Sequence, residues 1–313
     1  AFLRLILIGL SVILLVSCGL FLIRLSGLTQ SFEPVDHSLM HRPYWLIARM
    51  GDTSQAPPTS LQAYETALER APEAILEAPI WPTADGQFVV YPTSQLETHT
   101  SESGLIFAHS LKELDQVKFH PRQSVSSAPD SNPNQADSTI MSLTQFLQHF
   151  GEKPLLLTLQ FQETRHIEPL VKKIDQSVQH TQVIIHSPYA PVARELRSRR
   201  PQWLFAMGSG SMTQLYIMES LFIETMIDPW ADLLLSSPRI KKRWILSDRL
   251  AKEFSRRHLP VVLTEPISEE SLPSHLIPVV KGIATSDLKK GRQFLKKLKA
   301  QKKQAESLSR AKK

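Results

Sequence analysis

The stretch that decides the fold runs from Ile47-Ala48-Arg49-Met50-Gly51, across a short polar gap, into APPTSLQAYETALERAPEAILEAPIWPTADGQFVVYP at residues 56–92. Two runs in it, 44–48 and 74–78, are apolar without alternation, which is the pattern of strands buried on both faces. Between them Pro57-Pro58 leads into Thr59, which with Gln62 fits a capping box, and Leu61, Tyr64, Ala67 and Leu68 follow at helical spacing. Strand, helix and strand in that order make a parallel crossover. Asp85-Gly86, just beyond it, reads as a tight turn in which glycine accepts a positive φ.

The same alternation continues outward. Further strands are predicted at 87–91, 155–159, 182–186, 203–207, 259–264 and 280–284, and a second amphipathic helix at 247–258, where Leu250, Ala251 and Phe254 form the apolar stripe. Eight strands separated by helices predict an α/β (β/α)8 TIM barrel. In such a barrel, functional side chains gather where strands end, at the mouth.

The order and spacing of these segments resemble the glycerophosphodiester phosphodiesterase family of the PLC-like phosphodiesterase TIM barrels. IARMG stands where that family has an IAHRG-like strand end, followed by a PENT-like helix start, an IELDV-like strand, a T-x-D-G turn and a VVxHD-like segment. LLLTLQFQ at 155–162 resembles the family's strand ending in a glutamate and a lysine, while VIIHSPYAPVARELR at 183–197 and VVKGIATSD at 279–287 resemble its later strands. The resemblance implies a divalent metal, two histidines acting as general base and acid, and an arginine and a lysine holding phosphate. That chemistry protonates the leaving alkoxide and neutralises the developing charge.

Position by position, the reactive letters have changed. The first histidine falls on Arg49 and the phosphate-binding arginine on Met50; the metal-binding pair falls on Glu77 and Pro79; the histidine-aspartate pair falls on Pro92 and Thr93. The later metal glutamate falls on Gln160 and the lysine on Gln162. Arginine stays protonated near neutral pH and cannot shuttle a proton, and methionine carries no charge. Of the metal ligands only Glu77 is retained, so no metal and no cofactor is expected.

Arg49 and Glu77 lie near the ends of neighbouring strands and are expected to form an ion pair in the space of the missing metal. The expected mouth residues are Arg49, Met50, Glu77, Trp81, Gln160, Gln162 and His186, which ends a predicted strand. His99, His109, His120 and His258 show no ligand spacing and read as satisfied or solvent-facing. Gly208-Ser209-Gly210-Ser211 lacks the lysine of a phosphate loop and reads as a βα connection.

Two functions remain open on this reading. One is a catalytically degenerate domain, a pseudoenzyme acting as a binding or scaffold module, whose mouth accepts a polar lipid-derived or protein ligand. The other is an active phosphodiesterase hydrolysing glycerophosphodiesters in phospholipid metabolism through a non-standard site, which would need Mg²⁺ or Ca²⁺.

The ends of the chain point to a membrane. Residues 5–23 carry no charge, are bracketed by Arg4 and Arg24, and have the length of a bilayer-spanning helix. Residues 1–25 therefore read as a transmembrane anchor or a signal sequence. The near-symmetrical arginines leave the side of the soluble domain open. Leu15-Val16-Ser17-Cys18 also resembles a lipobox, so a lipoprotein through Cys18 is the alternative.

Residues 26–43, with Gly27, Pro34 and Pro43, read as a tether; 44–298 as the barrel, with a disordered loop near 121–138; and 299–313 as a basic tail. The chain carries 36 Lys and Arg against 30 Asp and Glu. Its excess sits beyond residue 288, where basic residues meet the single Glu306, so the body is mildly acidic. Membrane lipid is the expected partner and the tail can contact anionic lipid; nucleic acid is not expected.

Overall fold

A computed structural model describes residues 2–120, 138–177, 182–227, 229–240, 243–265 and 272–310. The loop expected near 121–138 lies, apart from Ser138, outside them, as do the last residues of the basic tail.

Eight parallel strands close into a barrel: β1 Trp45–Arg49, β2 Ile75–Pro82, β3 Leu155–Leu159, β4 Val183–His186, β5 Leu204–Met207, β6 Leu233–Ser236, β7 Val261–Thr264 and β8 Val280–Thr285. Closure comes from β1 pairing with β2 on one side and β8 on the other. Side chains alternate across each strand. Ile47, Ile75, Leu156, Ile184, Leu204 and Val262 fill the interior, while Leu46, Leu76, Leu157, Ile185, Phe205 and Leu263 face the helical layer. Continuous apolar runs are what a sheet covered on both faces requires.

Seven of these strands were anticipated, and two corrections concern the eighth. The apolar run at 87–91 is not a barrel strand: Phe88–Val90 folds back antiparallel on Ile80-Trp81-Pro82 through the Asp85-Gly86 turn, where Gly86 has φ +72°. So short a connection cannot return the chain to the start of a parallel strand, which needs a crossover of about a dozen residues or more. The barrel is completed instead by Leu233–Ser236, a short apolar run that escaped notice.

The first helix after β1 spans Leu61–Arg70, and its cap is Ser60, whose hydroxyl accepts the Ala63 amide at 3.2 Å. Thr59, the expected cap, has φ +62° and donates its amide to Met50 O at 2.9 Å. It is held down to the loop of the mouth instead. The predicted helix at 247–258 is Asp248–Arg256 with Ser247 as its cap. The residues read as a basic tail from 299 onward continue one helix, Leu288–Arg310, whose Lys299 and Lys302 ammonium groups lie over the Tyr44 ring.

At the opposite end from the mouth, the residues leading into β1 close the barrel floor. Leu39 packs into the interior cluster, the Trp45 indole donates to Leu39 O at 2.9 Å, and Lys281 donates to Met40 O.

Ahead of this, helix Phe2–Leu28 is long and apolar enough to cross a membrane, and none of its apolar window is covered by the rest of the chain. Cys18 lies inside this helix and is exposed, an arrangement that lends nothing to the lipoprotein alternative.

The foot of this helix is fixed to the barrel. Arg24 pairs with the buried Glu224 at 3.1 Å, and Thr225 Oγ1 donates to Arg24 O at 3.0 Å. Gly27 lies so close to Thr225 that a Cβ there would come within 2.5 Å of its hydroxyl.

Candidate functional site

The mouth is built on the end of β1. Met50, with φ +59°, and Gly51, with φ +84°, are two consecutive left-handed residues that turn the chain sharply out of the barrel. Three backbone bonds hold the turn: Met50 N to Glu77 O at 3.2 Å, Asp52 N to Ala63 O at 2.8 Å, and Thr59 N to Met50 O at 2.9 Å. Gly51 is required because a Cβ would meet the backbone of Ala63 at 2.6 Å. Asp52 is fully buried and pairs with Arg70 at 2.8 Å, fastening the turn to the first helix.

The turn presents Arg49 beside Glu77. The two residues are register partners across β1 and β2, and Arg49 Nε lies 3.3 Å from Glu77 Oε2. The pair expected from the sequence is therefore present. Oε2 makes no hydrogen bond, so the contact is Coulombic in character, whereas Oε1 accepts the Thr158 hydroxyl at 3.0 Å. Glu77 is 5% exposed. Burial pushes its carboxyl up, opposed by the Arg49 charge and by the Thr158 hydroxyl.

A cleft of about 850 Å³ opens above this pair, lined on the barrel side by Arg49, Met50, Glu77, Pro79, Gln160 and His186. Pro92, at the position of the family's second histidine, also lines it. His186 ends β4 with its Nδ1 buried and without a partner. Burial, reinforced by the Arg49 charge, lowers this imidazole to about 4, so the ring is neutral at physiological pH. A Cβ on Gly208 would meet His186 Nε2 at 2.8 Å. The Gly208–Ser211 segment forms the far wall, followed by helix Met212–Ser220, and Arg194 adds a second cation.

Trp81 and Gln162 are placed elsewhere. They line a neighbouring cleft of about 660 Å³ with Phe107, Arg165, His166 and Tyr189, joined to the mouth through Gln160, which lines both. The Trp81 indole donates to Tyr91 O at 2.9 Å, so its ring edge is committed to the β2 hairpin. The strand-end rule missed this because β2 runs on to Pro82, carrying Trp81 past the rim. Reasoning from sequence also passed over Glu265 just beyond β7, whose carboxylate accepts the Thr285 and Ser286 hydroxyls. Glu265 does not line the cleft.

Among the described residues Glu77 is the only carboxylate lining the mouth, and no three His, Cys, Asp or Glu side chains lie close enough together to hold a metal. A hard divalent cation takes six or more oxygens, and even Mg²⁺, which keeps several waters, is usually held by one or two carboxylates free to bind it. Here one Glu77 oxygen is engaged by Thr158 and the other faces a guanidinium. The residues present do not fit a divalent metal, and no step through one can be derived. The arrangement can hold an anion instead, by the exposed part of Arg49, by Arg194 and by the hydroxyls of the Ser209–Ser211 wall.

No protein-family model matches the sequence, and no curated protein matches it. Solved structures do. The glycerophosphoryl diester phosphodiesterase domain of an uncharacterised protein from Mycobacterium tuberculosis superposes with a TM-score of 0.62 at 14% identity, over 84% of this chain and 99% of that one. A phosphodiesterase from Oleispira antarctica, solved with the product sn-glycerol-3-phosphate, gives 0.59 at 15% identity over 80% and 96%. A glycerophosphodiester phosphodiesterase from Agrobacterium tumefaciens gives 0.56 at 14% over 78% and 98%. At these identities the likeness establishes the fold: a TIM barrel of the glycerophosphodiester phosphodiesterase type.

Proposed function

We propose that this chain is a membrane-held binding module on a phosphodiesterase-type barrel, which accepts a phosphate-bearing, lipid-derived headgroup at its mouth without hydrolysing it. The observation that carries the reading is the Arg49–Glu77 pair. A cation of the chain itself stands against the single carboxylate that the described residues bring to the mouth, where a hydrolase of this kind would need a metal and free carboxylates. General acid and base each contribute about 10²- to 10⁴-fold to rate. Among the described residues the mouth offers His186 alone for such a role, and its ring is neutral. What it retains is positive charge and hydroxyls, which serve binding.

The test uses the full chain in detergent or nanodiscs, assayed for glycerophosphodiester hydrolysis with Mg²⁺, Ca²⁺ or Mn²⁺, and separately for binding of sn-glycerol-3-phosphate by calorimetry. Binding without turnover is the expected result, with binding weakened at least several-fold by Arg194→Ala. Metal-dependent turnover that disappears in Glu77→Ala would overturn the reading and make the protein an active phosphodiesterase with a non-standard site.

A further inference from the structure

The exposed large apolar side chains of the barrel are not scattered. Among the described residues outside the N-terminal helix and the tether, they are Phe107, Tyr189, Ile217, Leu221 and Phe222. Phe107 lies in the segment after β2, Tyr189 follows β4, and the other three belong to the helix after β5 and its end. Phe107 and Tyr189 rim the cleft beside the mouth, and Ile217 rims the mouth itself. Phe222 is more than half exposed at φ +60°, a conformation that a bulky residue adopts only at some cost, with the Arg249 guanidinium 4.3 Å from its ring centre. Single exposed apolar residues are ordinary, but a set confined to one end of a barrel is a surface with a partner.

The root of the N-terminal helix indicates which partner. Helix Asp248–Arg256 runs from the mouth end of the barrel to its floor, because it connects the end of β6 to the start of β7. Gln30 O accepts from Arg256, at the floor end of that helix. Six residues nearer the N-terminus, Arg24 reaches Glu224, whose carboxylate lies 3.8 Å from Arg249 in the first turn, at the mouth end. The N-terminal helix therefore climbs the barrel wall toward the mouth side. It carries exposed apolar side chains down to Leu25 and Leu28, and its foot packs on Glu224 and Thr225, the segment that follows Leu221 and Phe222 in the chain.

We propose that the mouth face of the barrel rests on the lipid bilayer that the N-terminal helix enters, with Phe107, Tyr189, Ile217, Leu221 and Phe222 in the interfacial layer. Arg194 and Arg249 then stand at the depth of the headgroup phosphates, and the mouth takes its ligand from the bilayer surface. This rests on the reading of the mouth as a headgroup site and of residues 5–23 as an anchor. Interfacial burial of apolar side chains next to basic ones is the chemistry by which proteins seat on lipid.

The test places one spin label at a time on the full chain, in a Cys18→Ser background, in phosphatidylcholine nanodiscs. Labels go at Phe107→Cys, Ile217→Cys and Phe222→Cys, at Val35→Cys in the tether, and at Leu14→Cys in the helix. Collision with oxygen and with a water-soluble nickel chelate reports depth. The expected result is several-fold oxygen preference at 107, 217 and 222, a stronger one at 14, and free access of nickel at 35. A deep label at 14 with aqueous labels at 107, 217 and 222 would overturn the seating and leave the anchor standing. An aqueous label at 14 would overturn both.

The unsubstituted chain gives a second readout. Dibrominated lipid should quench part of the tryptophan fluorescence through Trp81 and Trp230, and absence of quenching counts against the proposal. Because depth is read without ligand, failure to bind sn-glycerol-3-phosphate leaves this result unaffected.

Discussion

Arg49 and Glu77 face one another across the first two strands of the barrel, in register, with Nε 3.3 Å from Oε2 and the carboxylate almost wholly out of water. One change from the pattern the sequence resembles, arginine at the first histidine's position, has thus become a contact with the one carboxylate retained.

Removing the cation should cost more than removing the pair. Arg49→Met leaves a buried carboxylate with only Thr158, and the expected loss is about 1–3 kcal/mol, discounted from a fully buried pair because Arg49 is partly exposed. Arg49→Met with Glu77→Gln should recover most of it. Denaturant unfolding of the three variants checks this. The pH dependence has a defined sign: Glu77 already sits above the ordinary glutamate range, and loss of Arg49 pushes it higher. A carboxyl raised in the folded state supports folding at low pH and loses that support as pH rises through its folded value. The deficit of Arg49→Met should therefore shrink toward pH 4.

His186 predicts the opposite slope. Its folded value of about 4 lies below the ordinary histidine value of 6.5. The folded state resists protonation, so this contribution is complete above pH 6.5 and is lost as pH falls toward 4. Relative to His186→Gln, the protein should lose on the order of 2–3 kcal/mol across that window. Parallel pH-stability curves for the two proteins would refute the assignment.

A metal site should be recoverable. Pro79 and Gln160 line the same cleft as Glu77, so Arg49→His, Pro79→Asp and Gln160→Glu together place three carboxylates and an imidazole in the mouth. Millimolar Mg²⁺ or Ca²⁺ should raise the Tm of that variant by several degrees and leave the parent unchanged. A ligand present at 100 times its Kd stabilises by about 2.7 kcal/mol.

Gly27 predicts how firmly the N-terminal helix is fixed. A side chain there collides with Thr225, so Gly27→Val should separate the helix foot from the barrel. Limited proteolysis should then cut the tether at least several-fold faster while the Tm of the barrel falls only slightly. Unchanged cleavage would show that the contact is dispensable.

Much of this protein is legible in its sequence because burial on both faces leaves uninterrupted apolar runs, as in LLLTL at β3. The miss at β6 has the same cause in reverse. LLLS is equally apolar, but its four residues sit between polar and aromatic positions that give no helical period on either side. The run at 87–91 does form a strand, Phe88–Val90, but the Asp85-Gly86 turn before it forbids a parallel return into the barrel.

The family resemblance pointed to Arg49 and Glu77, and the end of a predicted strand pointed to His186. Two features could not be read that way. The left-handed pair Met50-Gly51 is visible only in glycine at the second position, and the cap moved from Thr59 to Ser60 because the turn claims the Thr59 amide. The gathering of exposed apolar residues at one end depends on which side each connection leaves the barrel, and a linear chain does not display it.

The floor of the barrel limits where the chain between the N-terminal helix and the barrel can be cut. His37 and Leu39 are buried, and Leu39 belongs to the barrel's own interior, so the leash is partly core. A protease cutting between Thr29 and Asp36 would free a domain with its base intact. A cut a few residues later would remove the stopper, uncover apolar interior, and yield a fragment fit for degradation rather than circulation.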